Sequence, residues 1–210
     1  MSWAMADEIE KGLATFEQRS QTEARSLPII REYILSLDAT MELENANAET
    51  QRRDDIDLFW TRSHKGEKKT ISIEVKVDTQ IHKSGNFAFE TISNETHFSK
   101  GCFMRSKADY FYYFAESTHD LWIFPLAPVR DWFVREMSIR PNRFPDFKTH
   151  TRLSGGRVYV ARGYLVPISD VERAFGSELR HRQLPRTMPS GAEIKDLLGA
   201  QLDATIVEPS

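Results

Sequence analysis

Apolar and polar side chains alternate through residues 70 to 78. Ile71, Ile73, Val75 and Val77 fall on one side, and Ser72, Glu74, Lys76 and Asp78 on the other. A period of two predicts a half-buried strand. The stretch just before it, residues 54 to 61, sets Ile56, Leu58 and Trp60 against Asp55, Asp57 and Phe59. The polar run "SHKGEKK" between them predicts a hairpin turn, and aligning the two apolar faces sets Asp57 beside Glu74.

The pattern elsewhere predicts the remaining elements. A third strand is expected over 86–92, contiguous with the first two, after a Ser-Gly-Asn turn. The very apolar segment 109–115 reads as a strand that pairs with 121–126 across "ESTHD". Residues 5–37 carry Leu13, Phe16, Leu27, Ile30, Ile34 and Leu37 at helical spacing, with Pro28 expected to break the run or start a second helix capped by Ser26. Residues 37–54 read as a weak strand or loop, 127–137 as a short amphipathic helix, 140–156 as a long loop, 157–168 as a late strand or hairpin, and 169–175 as a helical turn. The chain is polar after Gly176, with one helical patch at 192–202.

This order predicts an α/β (α+β) fold with a mixed central sheet of four or five strands flanked by helices. The 210 residues suit a single domain over 1–175, made of a helical region at 5–37, a core at 38–135, and a basic loop with a late hairpin at 136–175. Residues 176–210 then form a polar extension.

Composition narrows the function classes. A net charge of −3 excludes a uniformly basic surface, so any nucleic-acid contact rests on local patches. Cys102 is the only cysteine, which excludes an intramolecular disulfide and a cysteine-based zinc site. The six histidines, at 64, 82, 97, 119, 150 and 181, form no i,i+4 pair. Nucleotide-binding glycine signatures are absent. No apolar run is long enough to span a membrane and the start lacks the apolar core of a signal peptide, so a cytoplasmic protein is expected.

E-x-K occurs three times, at Glu67, Glu74 and Glu193. Only Glu74 and Lys76 lie in a strand, where residues two apart project together. With Asp57 converging on Glu74, two carboxylates a few Å apart repel by about 1 to 4 kcal/mol. A divalent cation relieves that repulsion, and Mg²⁺ takes one or two carboxylates with waters and phosphate oxygens. A lysine beside them offsets charge on a phosphate. Such parts suit a metal-dependent phosphodiester hydrolase.

The pattern "DIDLFW…ISIEVKVD" resembles the core motif of the PD-(D/E)XK nuclease superfamily, over roughly residues 20 to 115. That resemblance implies a restriction-endonuclease-like core, Mg²⁺ or Mn²⁺ as cofactor, and DNA as substrate. It makes Asp57, Glu74 and Lys76 catalytic, with Asp57, Glu74 and the Val75 backbone carbonyl around the metal. Ile56 stands where the family usually has proline. An acidic residue from the first helix joins many such sites, and Glu23 is nearest along the chain, with Glu17 next. Ser84-Gly85-Asn86 followed by Glu90 resembles a segment of phage and bacterial members, which adds Glu90 to the acidic candidates. Asp55 is a further one.

Basic residues gather in two places. Lys83, Lys100, Arg105 and Lys107 surround the third strand, while Arg140, Arg143, Lys148, Arg152 and Arg157 populate the long loop among Phe144, Phe147 and Tyr159. Cations interleaved with aromatics hold phosphates and stack bases. DNA is therefore the expected partner, a homodimer is left open, and no membrane contact is expected. A non-catalytic module that binds nucleic acid or protein on the same fold, and a structural protein assembling through its aromatic sheet, are the competing readings.

Overall fold

The computed structural model describes residues 14–152 and 158–186. Its main sheet has six strands in the order β11-β8-β7-β4-β3-β2. These are β2 (Thr40–Asn45), β3 (Leu58–His64), β4 (Glu67–Asp78), β7 (Tyr110–Ala115), β8 (Asp120–Pro125) and β11 (Arg180–Gln183). A second sheet runs β1-β9-β10-β5-β6, from β1 (Ala14–Thr15), β5 (Asn86–Asn94), β6 (Ser99–Lys100), β9 (Asp146–Arg152) and β10 (Val158–Pro167). The helices are α1 (Phe16–Leu35), α2 (Ala48–Asp54), α3 (Ile81–Ser84), α4 (Cys102–Arg105), α5 (Leu126–Ile139) and α6 (Ile168–Phe175). The architecture is mixed α/β, as the alternation predicted, with more strands than expected.

The β3–β4 hairpin closes through Lys65 and Gly66, both at positive φ (49° and 85°). Two left-handed residues give a turn whose twist matches the strands it joins. Beside β4 lies β7, in parallel, with Glu74 opposite Phe111 and Lys76 opposite Tyr113. "YFYYFA" reads as unbroken apolar sequence because the sheet is covered on both faces. Tyr112 and Phe114 pack with Ile30, Tyr33 and Ile34 of α1 and with Leu58, Trp60, Ile71 and Ile73. Phe111, Tyr113 and Ala115 pack with Phe87, Phe89, Phe103, Phe124 and Phe133 on the other face. Within that second core the rings of Phe89 and Phe103 stack at 3.9 Å.

Four expectations need correction. The strand at 86–94 is not contiguous with β3 and β4; it pairs with β10 and β6 in the second sheet. α3 and Gly85, at φ 63°, turn the chain off the first sheet, and the wholly apolar β7 takes the inner place beside β4. Pro28 does not break α1. Pro28 and Ala24 are both exposed, so the carbonyl that loses its donor meets water. Residues 146–152, read as loop, form β9 because Thr149 and Thr151 continue the inward face begun by Phe147 with too little apolar signal to announce a strand. "AETQRRD" forms α2, started by Asn47, whose side chain accepts the Thr50 N–H at 2.9 Å.

The polar segment after Gly176 contributes β11 to the edge of the main sheet. The helical patch at 192–202, residues 5–13 and Arg157 lie outside the described residues. Among those described, no helix is long and apolar enough to cross a membrane.

Candidate active site

α2 ends in Asp55, whose left-handed backbone (φ 48°) turns the chain toward the main sheet. The turn is pinned from a segment fifty residues on. Arg105 forks onto the Asp55 carboxylate, with Nε 2.6 Å from Oδ2, and Ser106 Oγ donates to the Asp55 carbonyl at 2.6 Å. Lys107 donates its N–H to the Asp54 carbonyl at 2.8 Å, and its ammonium lies 2.8 Å from Asp54 Oδ1. The strand therefore starts only at Leu58, and Ile56 does not share a face with Leu58 and Trp60. Ile56 packs in the aromatic core, whereas Leu58 and Trp60 pack with α1.

β3 and β4 pair from Leu58 opposite Ile73 toward the hairpin. One step beyond that last pair stand Asp57 and Glu74. Asp57 donates its N–H to the Ile73 carbonyl at 2.9 Å and takes the Val75 N–H on Oδ2 at 2.8 Å. β4 runs on past its partner, so the carboxylate of Asp57 replaces the missing strand for Val75. The N–H and C=O of one strand residue share an edge, which turns the Val75 carbonyl toward the same opening.

The two carboxyls are hydrogen-bonded to each other. Glu74 is only 7 % exposed. Burial, then the charges of Asp57 and Asp55, push its carboxyl well above the usual range, against the pull of Lys76. Burial also raises Asp57, to about 6, although the Val75 N–H opposes the shift. Glu74 accordingly holds the proton and donates it to Asp57. In this arrangement Lys76 projects on the same face as Glu74, with Nζ 3.8 Å from Glu90 Oε2. Glu90 is held in turn by close packing, since a Cβ at Gly101 would lie 2.4 Å from its carbonyl oxygen. Glu23 is exposed on α1 and adds its negative field to Asp57.

The structure thus brings together Asp57, Glu74, Val75 and Lys76, with Glu90 and Glu23 at the periphery. Asp55 is near, but its carboxylate is engaged by Arg105. Nothing is described of the Glu17 side chain. The basic candidates divide. Arg105 and Lys107 neutralise Asp55 and Asp54. Arg140 and Arg143 both bind Glu136, and Arg143 also reaches Asp170 at 2.9 Å and covers the Phe144 ring at 5.0 Å. Lys148 sits 3.8 Å from Glu95, Arg152 ends β9, and Lys83 and Lys100 are exposed.

The long basic segment is therefore partly a structural network. Arg143→Ala should lower stability by about 2 kcal/mol, because it strips charged hydrogen bonds from Glu136 and Asp170. A shift in the urea midpoint measures this, and an unchanged midpoint would return Arg143 to the surface.

Sequence reasoning passed over Asp78 and Tyr113. The Tyr113 hydroxyl donates to Asp78 and accepts the Ala88 N–H at 2.9 Å, which ties the two sheets together beside the site. Asp78 was legible as the next residue of the Glu74–Lys76 face. Gly163, alone inside β10, was the signal of a close approach. Comparisons with protein-family models, with characterised proteins and with solved structures give no match.

The donor set can be tested for a divalent ion. Among the described residues no group of three or more His, Cys, Asp or Glu forms a ready cage. Two touching carboxyls that share a proton, with the Val75 carbonyl turned to the same edge, are hard oxygen donors that leave several coordination positions to water. Mg²⁺ and Mn²⁺ accept such a set. The residues fit the ion.

Proposed function

We propose that the chain is a Mg²⁺- or Mn²⁺-dependent nuclease that hydrolyses DNA phosphodiester bonds, built on a restriction-endonuclease-like core of PD-(D/E)XK type. The observation that carries this reading is the buried Asp57–Glu74 pair at the point where β3 ends and β4 continues, with Lys76 next on the same face. An ordinary solvated strand face would not confine two carboxyls to one proton.

Asp57, Glu74 and the Val75 carbonyl would hold the ion. When bound it supplies Lewis acidity toward a phosphate oxygen and lowers the pKa of a water. The Val75 N–H fixes one Asp57 oxygen and so aims the other. Lys76 carries a fixed positive charge to the place where negative charge grows on phosphorus. Glu90 keeps the ammonium from swinging away.

The competing reading, a module that binds DNA or protein without chemistry, draws on the Lys76–Glu90 pair, which engages the ammonium in the absence of substrate. Incubation with supercoiled, linear and single-stranded DNA in Mg²⁺, Mn²⁺ or EDTA separates the two. Cleavage that requires the metal and vanishes in Asp57→Asn supports the nuclease. Binding without cleavage under every condition would leave the module.

A further inference from the structure

A cleft of about 470 Å³ lies between the two sheets, reached along β4 from the carboxylate pair. Lys76 and Glu23 line it, with Asn86, Glu90, Phe147 and Lys148 on the side of the second sheet. We propose that this cleft receives one unpaired nucleobase of the DNA strand, stacked on Phe147. The inference rests on the nuclease reading and adds the state of the substrate to it: the base is in a single strand or displaced from a helix.

Size is the first argument. A cleft of this volume holds one small organic group and not a length of paired strands. Shape is the second. Phe147 stands opposite Gly163 in the β9–β10 ladder. A Cβ at Gly163 would lie 2.7 Å from both Cε1 and Cζ of Phe147, so the ring rests on bare backbone. Glycine inside a strand weakens it and marks a close approach. The same ring lines the cleft, so it is shared between the strand and the cleft. Stacking of this kind takes any base.

Charge is the third argument. Glu23, Asp78 and Glu90 line the cleft against Lys76 and Lys148. A run of phosphates would be repelled there, whereas a neutral base can donate its exocyclic amino hydrogens to carboxylates. The phosphate is left outside, level with Lys76 and the acid pair. Displacing a base from a helix costs a few kcal/mol, which an unpaired strand avoids.

The test uses oligonucleotides carrying one 2-aminopurine as a single strand, as a duplex with a one-base bulge, and as a fully paired duplex. Ca²⁺ replaces Mg²⁺ so that binding is read without turnover. Fluorescence of the single strand or of the bulged duplex should fall on binding, and which of them responds identifies the source of the base. Phe147→Ala should bind the responding DNA roughly five- to a hundred-fold more weakly, Phe147→Trp should restore it, and the paired duplex should be indifferent to both. Silent fluorescence would overturn the proposal. So would wild-type affinity in Phe147→Leu, which keeps Gly163 covered without a ring. A protein that quenches the probe yet never cuts in Mg²⁺ keeps this inference and loses the nuclease reading. One that cuts paired duplex with the probe silent does the reverse.

Discussion

Lys76→Ala is expected to lose DNA cleavage by roughly 10²- to 10³-fold while metal affinity and DNA affinity stay nearly intact. Lys76 is the cation next to Glu74 on its face, and its stem is held in the strand at the centre of the main sheet. A charge fixed by a strand needs no reorganisation when the phosphate gains charge, and partial burial weakens its screening by water. On the nuclease reading DNA affinity would rest on other groups, since a single phosphate contact is a small part of a salt-dependent footprint. The variant leaves Glu90 without its partner at 3.8 Å, so its fold should be checked by thermal melting before rates are compared. Lys76→Arg is the sharper control. A planar fork replaces a compact ammonium, and the charge returns without its position. A plasmid-nicking time course at equal DNA occupancy gives the answer. Equal rates in wild type and Lys76→Ala would make residues 74 to 76 a strand face and nothing more.

The acid pair was legible in the sequence because two independent patterns agreed on it. Period-two alternation fixed which side chains of β4 share a face, and aligning the apolar faces across the polar turn set Asp57 beside Glu74, although Ile56 leaves the face that alternation gave it. What alternation does not encode is the neighbour of a strand. "NFAFETI" was readable as a strand, yet its place in the second sheet depends on the turn at α3 and on competition from β7 for the edge of β4. Weak patterns hid two elements altogether. α2 has no apolar face to reveal it, and β9 carries one phenylalanine among threonines and charges.

The partition of the charged residues was hidden for a different reason. Asp55 and Arg105, or Arg143 and Asp170, meet across long sequence separations, so their neutralisation shows only once the chain is folded. The same holds for the shared proton. Composition supplies two carboxylates, but it takes burial at 7 % exposure, with the charges of Asp57 and Asp55 beside it, to make Glu74 keep its hydrogen.

That proton leads to the second large effect. A carboxyl whose folded pKa lies above its unfolded value binds protons more tightly in the native state. Its stabilisation is complete below the unfolded pKa and is lost as pH rises through the folded one. For Asp57 those limits are near 3.8 and about 6. The shift corresponds to about 3 kcal/mol lost between roughly pH 4 and 7, in the absence of a cation. In a chain of 210 residues this is roughly 6–12 °C of melting temperature. Asp57→Asn has no such proton to lose. Its melting temperature should therefore gain on the wild type as pH rises from 4 to 7.5, the difference between the two proteins cancelling titrations away from the Asp57–Glu74 pair. Mn²⁺ at pH 7.5 should raise the wild-type value by replacing the proton with a stronger charge, and should do so far less at pH 4.5, where protons compete for the same oxygens. In Asp57→Asn the metal should raise it little at either pH, and the heat of Mn²⁺ binding should disappear from calorimetric titration. Parallel melting curves for the two proteins across this range would mean that Asp57 ionises freely. A Mn²⁺ stabilisation that survives the substitution would place the metal elsewhere.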